Sequence, residues 1–101
     1  MKKINLGQKD IIHFVGIGGI GMSGLAQIMK NMGFRIQGSD KIKNKNTITC
    51  FKSGIKIFIG HSPINIKKAT IIVKSTAIKN NNSELKYAKK IKYLFIQELR
   101  F

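Results

Sequence analysis

The sequence predicts an α/β fold in which helices cover both faces of a mostly parallel sheet of about five strands. Short apolar segments typical of buried strands alternate with segments whose apolar residues recur every three or four positions, as in helices. A glycine follows each of the first two helical segments, where a helix commonly ends. The 101 residues suit a single domain, and no linker or internal repeat interrupts them. A doubly wound, Rossmann-like domain is therefore expected over residues 11–101.

The individual elements follow from this alternation of patterns. A polar, flexible lead-in is expected at residues 1–10 and a polar loop at 41–46. Helices are predicted from Gly21 to Gly33, at 47–53 and at 83–92, each with one apolar side. Strands are predicted at 11–15, 34–38, 55–59, 70–74 and 93–96. His13 lies inside the first strand and is expected to be a core residue.

A glycine-rich turn joins the first strand to the first helix. Its glycines are Gly16, Gly18, Gly19 and Gly21, and the helical pattern begins at once after them. Gly16 allows a tight turn, Gly18 allows a ligand to approach the backbone, and Gly21 allows the helix to pack close to the strand. The turn would leave amide N–H groups and the positive end of the helix facing an anion. The pattern therefore predicts a phosphate-binding turn.

Asp40 supports a nucleotide as the source of that phosphate. It lies 19 residues beyond Gly21, at the end of the second predicted strand. An acid at this spacing commonly accepts a hydrogen bond from a ribose hydroxyl. The alternative is that Asp40 merely caps the following turn, as acids after strands often do.

The composition limits the other classes of function. The net charge of +15 would suit nucleic-acid binding, but the lysines are scattered and Ile and Asn are also abundant, which indicates a coding bias. We therefore expect no specific nucleic-acid function. No apolar run is long enough to span a membrane, no signal peptide is visible, and Cys50 is the single cysteine. These features predict a cytoplasmic protein without membrane insertion or a metal site, in which Cys50 is packed in the core.

One family shares more of the sequence than the glycine spacing requires. The segment His13-Phe-Val-Gly-Ile-Gly-Gly-Ile-Gly-Met-Ser-Gly-Leu-Ala26 resembles the opening motif of the UDP-N-acetylmuramate-L-alanine ligases of peptidoglycan synthesis. Met22-Ser23-Gly24 is its most specific part. Three further segments, 38–40, 58–61 and 75–79, follow in the order and at the spacings of that family's N-terminal domain. The resemblance covers residues 10–99.

The resemblance implies a domain that binds UDP-N-acetylmuramate. The diphosphate would be held at the helix N-terminus by the turn, with contacts from Gly16, Gly18, Gly19, Ile20, Gly21, Met22 and the Ser23 hydroxyl. Asp40 would face the uridine, His61 would lie near the diphosphate, and Ser75 and Thr76 would border the same crevice. Without the family, a histidine after a glycine is more often a capping or surface residue, and Ser-Thr at a strand end is more often part of a turn.

The sequence departs from the family in two ways. Ser83 replaces the proline of an Asn-Pro-Glu motif, and residues 96–99 replace an arginine-containing motif, which puts contacts from that end in doubt. The chain also has no G-x-x-x-x-G-K-[ST] loop, although the full-length family uses ATP and Mg²⁺. We therefore expect this chain alone to bind the UDP-sugar without ligating it, with the missing ligase domains as partners. A module that binds NAD and a basic nucleic-acid-associated protein are the alternatives.

Overall fold

A computed structural model of the protein describes residues 7, 9–91 and 94–100. The strands are β1 (Ile11–Val15), β2 (Arg35–Asp40), β3 (Lys56–Ile59), β4 (Ile71–Ser75) and β5 (Phe95–Leu99). The helices are α1 (Met22–Asn31), α2 (Lys45–Lys52) and α3 (Ser83–Ala88), and a short 3₁₀ helix spans Pro63–Ile66. The strands form one sheet in the order β3-β2-β1-β4-β5, and all four pairings are parallel. The predicted fold class is confirmed.

Helices cover both faces of the sheet, and each face has its own apolar core. Phe14 on β1 packs on the side of α1 and α2, together with Met22 and Cys50. Val15, the next residue, packs on the side of α3 and the 3₁₀ helix. This alternation explains why β1 has apolar residues on both faces, since a strand covered on both faces has no solvent side. The burial of Cys50 confirms the expectation that it is a core residue.

The position of β1 in the sheet determines where a ligand can bind. β1 pairs with β2 on one side and with β4 on the other. After β1 the chain continues to β2 on one side of the sheet, and after β4 it continues to β5 on the other side. These two connections therefore diverge at the carboxyl ends of β1 and β4. In parallel sheets, such a point forms the crevice where ligands bind. The glycine-rich turn follows β1 directly and lies at this point.

Several element boundaries differ from the predicted ones. The polar loop predicted at 41–46 is too long, because α2 already begins at Lys45. Asn44 accepts a hydrogen bond from the Thr47 N–H (2.9 Å), and the Thr47 hydroxyl accepts one from the Asn44 N–H (2.8 Å). This reciprocal cap stabilises a helix start that the sequence pattern places two residues later. The bounds of β2, β3 and β4 differ from the predicted ones by one or two residues.

The C-terminal elements differ more. α3 ends at Ala88, although a helix was predicted over 83–92, because the N–H groups of Lys90 and Ile91 donate to carbonyls only three residues back. β5 begins at Phe95 and continues to Leu99, so the strand predicted at 93–96 starts too early and ends too soon. Residues 92 and 93 lie outside the described part of the chain, as do residues 1–6 and 8 of the expected lead-in. The flexibility of that lead-in stays a prediction.

Two further features bear on function. The 3₁₀ helix at 63–66 was not predicted, and it carries Asn65 into the interior. None of the described helices is long and apolar enough to cross a membrane.

Candidate functional site

The turn between β1 and α1, residues 16–21, is here called the glycine loop. Gly16 has a φ of 79°, a conformation that side chains other than glycine rarely adopt, as a tight turn requires. The N–H groups of Gly16 and Ile17 both donate to the Ser39 carbonyl (2.9 Å each), and the Gly19 N–H donates to the Gly16 carbonyl (3.0 Å). These bonds fix the loop against β2. The predicted role of Gly16 in the turn is confirmed.

The N-terminus of α1 presents several backbone donors beside this loop. Gly21 caps the helix with a φ of 84°, without a side-chain cap and with no acid in the first turn. The Ser23 N–H donates to the Gly19 carbonyl. Within the described part of the chain, the N–H groups of Ile20, Gly21 and Met22 make no hydrogen bond. Three adjacent N–H donors and the positive end of a ten-residue helix can therefore bind an anion.

Asp40 lies against the glycine loop. Its carboxylate oxygen Oδ2 accepts a hydrogen bond from the Gly18 N–H (2.7 Å), and the Asn46 side-chain amide donates to the Gly18 carbonyl (2.9 Å). A Cβ on Gly18 would lie 2.6 Å from Nδ2 of Asn44 and 2.7 Å from Asp40 Oδ2. The side chains of Asn44 and Asp40 therefore lie close to the Gly18 backbone, in the space that a side chain at this position would occupy. Whether a ligand also approaches there stays a prediction.

His61 lies just beyond β3 and contacts Ser39 near the end of β2. Its Nδ1 atom is 2.9 Å from the Ser39 hydroxyl oxygen and 3.4 Å from Oε2 of Glu84, and its side chain is 15% exposed. Ser39 also binds Gly16 and Ile17 through its carbonyl, so one residue contacts both the glycine loop and His61. The structure thus brings His61 to the same sheet edge as the loop. Its role toward a ligand is untested and stays a prediction.

Glu84 is completely buried at the start of α3. Its Oε1 is 2.7 Å from His13 Nε2 and 2.6 Å from the Ser39 hydroxyl, and its Oε2 accepts from the Asn65 amide (2.8 Å) and the Ser62 N–H (3.1 Å). Burial alone would raise the pKa of this carboxyl group. The hydrogen bonds from His13, Ser39 and Asn65 outweigh burial and lower its pKa to about 2. Glu84 is therefore a carboxylate at neutral pH.

A closed ring of hydrogen bonds, here called the polar ring, joins the buried residues His13, Gln37, Asn65 and Glu84, and one of its links is the backbone carbonyl of Asn65. The Gln37 amide donates to the Asn65 carbonyl (2.8 Å) and to His13 Nδ1 (2.7 Å). His13 Nε2–H donates to Glu84, and Glu84 accepts from the Asn65 amide. Since Nδ1 accepts, His13 is the neutral tautomer with its proton on Nε2. His13 is buried, as predicted, but in a polar setting.

Ser75 and Thr76 lie at the carboxyl end of β4, at the same edge of the sheet. The Thr76 N–H donates to the Leu99 carbonyl, and the Ile78 N–H donates to the Ser75 carbonyl. Ile78 in turn packs against the loop, since a Cβ on Gly16 would lie 2.7 Å from its Cδ1 atom. Among the described residues, no side-chain hydrogen bond connects Ser75 or Thr76 to Asp40 or His61. The structure places them at the crevice edge and leaves their predicted role untested.

The polar side chains around Ser39 are engaged mainly with one another. Ser39 contacts a histidine and a carboxylate, but its side chain is fully buried, so its hydroxyl cannot reach a substrate as a nucleophile. All four carboxylates of the chain accept hydrogen bonds from protein groups. In the described ranges, no group of three or more His, Cys, Asp or Glu residues could hold a metal ion. The donors that the glycine loop and the start of α1 offer to a ligand are backbone N–H groups.

The sequence contains only weak signals for the polar ring. A histidine within an apolar strand is unusual, and Glu84 is one of four acids in a chain of net charge +15. Both facts point to special surroundings, but neither names a partner. His13 and Glu84 are separated by 71 positions, so their contact depends on the whole sheet topology.

The chain matches a known family of proteins. The family model for "Mur ligase family, catalytic domain" matches residues 11–100. Over 87 residues the chain is 64% identical to the UDP-N-acetylmuramate-L-alanine ligase of Pelagibacter ubique, and over 79 residues it is 52% identical to that of Rickettsia bellii. These alignments cover 86% and 78% of this chain, but 19% and 16% of the two ligases. The chain therefore spans less than a fifth of the length of these relatives.

Two crystal structures share the fold. That of the UDP-N-acetylmuramate-alanine ligase from Thermotoga maritima matches with a TM-score of 0.80 and 36% identity, covering 86% of this chain and 20% of the other. That of the UDP-N-acetylmuramate:L-alanyl-γ-D-glutamyl-meso-diaminopimelate ligase from Neisseria matches with a TM-score of 0.75 and 26% identity, covering 90% and 28%. The chain belongs to the Mur ligase family and is homologous to the N-terminal domain of its UDP-N-acetylmuramate-L-alanine ligases.

Proposed function

We propose that this domain binds UDP-N-acetylmuramate, with the diphosphate on the glycine loop and the N-terminus of α1. The proposal rests mainly on the adjacent N–H groups of Ile20, Gly21 and Met22, which have no hydrogen-bond partner among the described residues. These groups lie at the carboxyl end of β1, where the connections after β1 and β4 diverge. These donors match phosphate oxygens, and the helix end favours negative charge. The named substrate of the similar ligases supplies such a diphosphate.

The other predicted contacts fit around that diphosphate. Ser23 follows Met22 in the first turn of α1, so its hydroxyl is expected to add a donor beside the amides. Asp40 is expected to face the uridine, and its bond to Gly18 already holds it at the loop. His61, Ser75 and Thr76 are expected to border the crevice on the remaining sides. These assignments derive from the family resemblance and from their common position at the carboxyl edge of the sheet.

The residues present do not fit an ATP and Mg²⁺ site. No glycine of this chain is followed by a lysine, so it has no P-loop lysine to contact the β and γ phosphates. Its four carboxylates are all engaged in hydrogen bonds within the protein. We propose that this domain anchors the UDP end of the substrate, while ligation of L-alanine belongs to the parts of the relatives that this chain does not span. Remote binding of this kind positions the reacting group without supplying chemistry.

Calorimetry with three ligands tests the proposal. We expect UDP-N-acetylmuramate to bind to the 101-residue chain, UDP alone to bind more weakly, and NAD(H) not to compete. Tighter binding of NAD(H) than of either UDP compound would instead support a dinucleotide-binding module. If none of the three ligands gives a heat of binding, the proposed function is refuted.

The variant Ile20→Pro tests the backbone contact directly. The side chain of Ile20 is 90% exposed, so proline removes the N–H donor with little loss of packing. Because a hydrogen bond to a charged group is worth roughly 1.5 to 3 kcal/mol, we expect affinity to fall by about tenfold or more. Ile20→Ala keeps the N–H and is the matched control, with affinity expected to stay unchanged. Gly18→Val is a poor test, since its side chain would clash with Asp40 and Asn44 even without a ligand.

A further inference from the structure

The positions of the protons around Ser39 follow from its contacts. The Ser39 hydroxyl donates its single proton to Oε1 of Glu84, at 2.6 Å. Its oxygen also lies 2.9 Å from His61 Nδ1, so that bond needs its proton from the histidine. The second neighbour of Nδ1 is Oε2 of Glu84, at 3.4 Å, which can only accept. Both contacts of His61 Nδ1 therefore require a proton on that nitrogen.

We propose that Glu84, acting through Ser39, is a positioning residue that fixes the ring orientation and the Nδ1–H tautomer of His61. The Nε2 atom then lies on the side of the imidazole ring turned away from Ser39 and Glu84, and it is the nitrogen available to the UDP-sugar. This inference rests on the proposed function for the identity of the ligand, but its effect on the His61 ring does not depend on any ligand.

Burial makes this arrangement rigid. Glu84 and Ser39 are both fully buried, so no water competes for their hydrogen bonds. The other oxygen of Glu84 is held by the Asn65 amide (2.8 Å) and the Ser62 N–H (3.1 Å), which lie on the segment directly after His61. The carboxylate thus fixes both the imidazole and the backbone that carries it. A side chain fixed from its second neighbours in this way loses little freedom when it meets a ligand.

Nitrogen NMR of the free protein tests the tautomer. At about pH 8.5, where free imidazole is neutral, we expect His61 Nδ1 to show the shift of a protonated ring nitrogen and Nε2 that of an unprotonated one. In Ser39→Ala, Nδ1 retains only the longer 3.4 Å contact, and in Glu84→Gln an amide faces the same donors. Both variants are expected to give a mixture of tautomers. Glu98→Gln removes an equal charge at a carboxylate bound to Lys74 and is the control, with the tautomer unchanged.

Binding in two backgrounds tests the consequence. We expect Ser39→Ala and Glu84→Gln each to weaken UDP-N-acetylmuramate binding by about tenfold when His61 is present. In a His61→Ala background, the same changes should weaken it by less than about twofold, because they act through the imidazole. An equal loss in both backgrounds would show that Glu84 only supports the fold, and would overturn the proposal.

The NMR and binding experiments together show whether the proposed ligand or the positioning role is wrong. If the unaltered chain binds no UDP compound but the tautomer changes in Ser39→Ala and Glu84→Gln, the proposed ligand is wrong and the action of Glu84 on His61 stands. If the tautomer is the same in all variants, the positioning role is wrong, whatever the chain binds. Ser39→Ala keeps both arms decisive should Glu84→Gln fold poorly.

Discussion

The glycine loop and the polar ring lie at the same end of the sheet, but they are built in opposite ways. Four of the six loop residues are glycines, and the N–H groups of Ile20, Gly21 and the adjoining Met22 make no hydrogen bond to the described residues. The polar ring consists of buried side chains, and within the described residues every buried side-chain nitrogen or oxygen has a hydrogen-bond partner. A region with available donors can bind a ligand, whereas a saturated one can only hold its neighbours in place. Within one site, the glycine loop is thus suited to binding a ligand, and the polar ring is suited to supporting its neighbours.

The largest effect should come from breaking the polar ring. In Glu84→Ala, His13, Ser39 and Asn65 lose a buried acceptor at once. Losing one partner of such a buried cluster costs about 3 to 5 kcal/mol, and we expect the free energy of unfolding to fall by that amount in urea titrations. Glu98→Ala, at a carboxylate that is 53% exposed, should cost less than about 1 kcal/mol. Similar losses in the two variants would contradict the special role of the buried cluster.

Acid should weaken the same cluster. The pKa of Glu84 falls from 4.5 to about 2 on folding, so its stabilising effect is complete above about pH 4.5 and is lost as the pH falls toward 2. The difference corresponds to about 3 kcal/mol in the free energy of unfolding. Urea titrations at several pH values between 2 and 6 should show this loss in the unaltered chain and a smaller one in Glu84→Gln. Parallel pH curves for the two proteins would refute the assignment.

A change in the glycine loop should cost less. In Gly16→Ala, the new methyl group must adopt a φ of 79° and meets the Ile78 side chain at 2.7 Å. We expect a loss of about 1 to 2 kcal/mol in the free energy of unfolding. Gly24→Ala is the matched control, because Gly24 is helical with no atom within 4 Å of its would-be Cβ. That variant should gain about 0.5 to 1 kcal/mol, and a loss there would show that the strain at Gly16 is not specific.

The smallest effect concerns the contact between Asp40 and the loop. Asp40→Ala removes the acceptor of the Gly18 N–H, so hydrogen exchange at Gly18 should become faster. Exchange at Gly19, whose N–H donates to the Gly16 carbonyl, should stay the same and is the internal control. We expect global stability to change by less than about 1 kcal/mol, as for most single hydrogen bonds at partly exposed positions. Equal acceleration at both amides would show that Asp40 supports the whole loop.

The glycine loop could be predicted from the sequence because its geometry is local. Gly16 and Gly21 adopt positive φ values in a segment that links a strand directly to a helix, and glycine spacing reports on such backbone conformations. The alternation of apolar patterns likewise predicted the five strands and three α-helices that lie in the described part of the chain. The boundaries failed where side chains cap helices, as Asn44 and Thr47 do at α2, since capping shifts a helix start without altering the apolar pattern.

The polar ring could not be predicted because none of its contacts is local. Its residues come from β1, β2, the 3₁₀ helix and α3, and they meet only when β1 pairs with β2 and α3 packs on the same face. His13 and Gln37 are direct neighbours in the register of those two strands. Sequence spacing carries no trace of this register, and a rare acid such as Glu84 indicates only that some partner exists.

The use of every carboxylate within the fold has a consequence for the surface. Only four carboxylates offset the 19 lysines and arginines of the chain. All four, Asp10, Asp40, Glu84 and Glu98, are held within the fold by hydrogen bonds. With a net charge of +15, the folded chain repels itself, and dissolved salt screens that repulsion over about 10 Å at 0.1 M. The fold should therefore become more stable as ionic strength rises, while its attraction for a diphosphate becomes weaker.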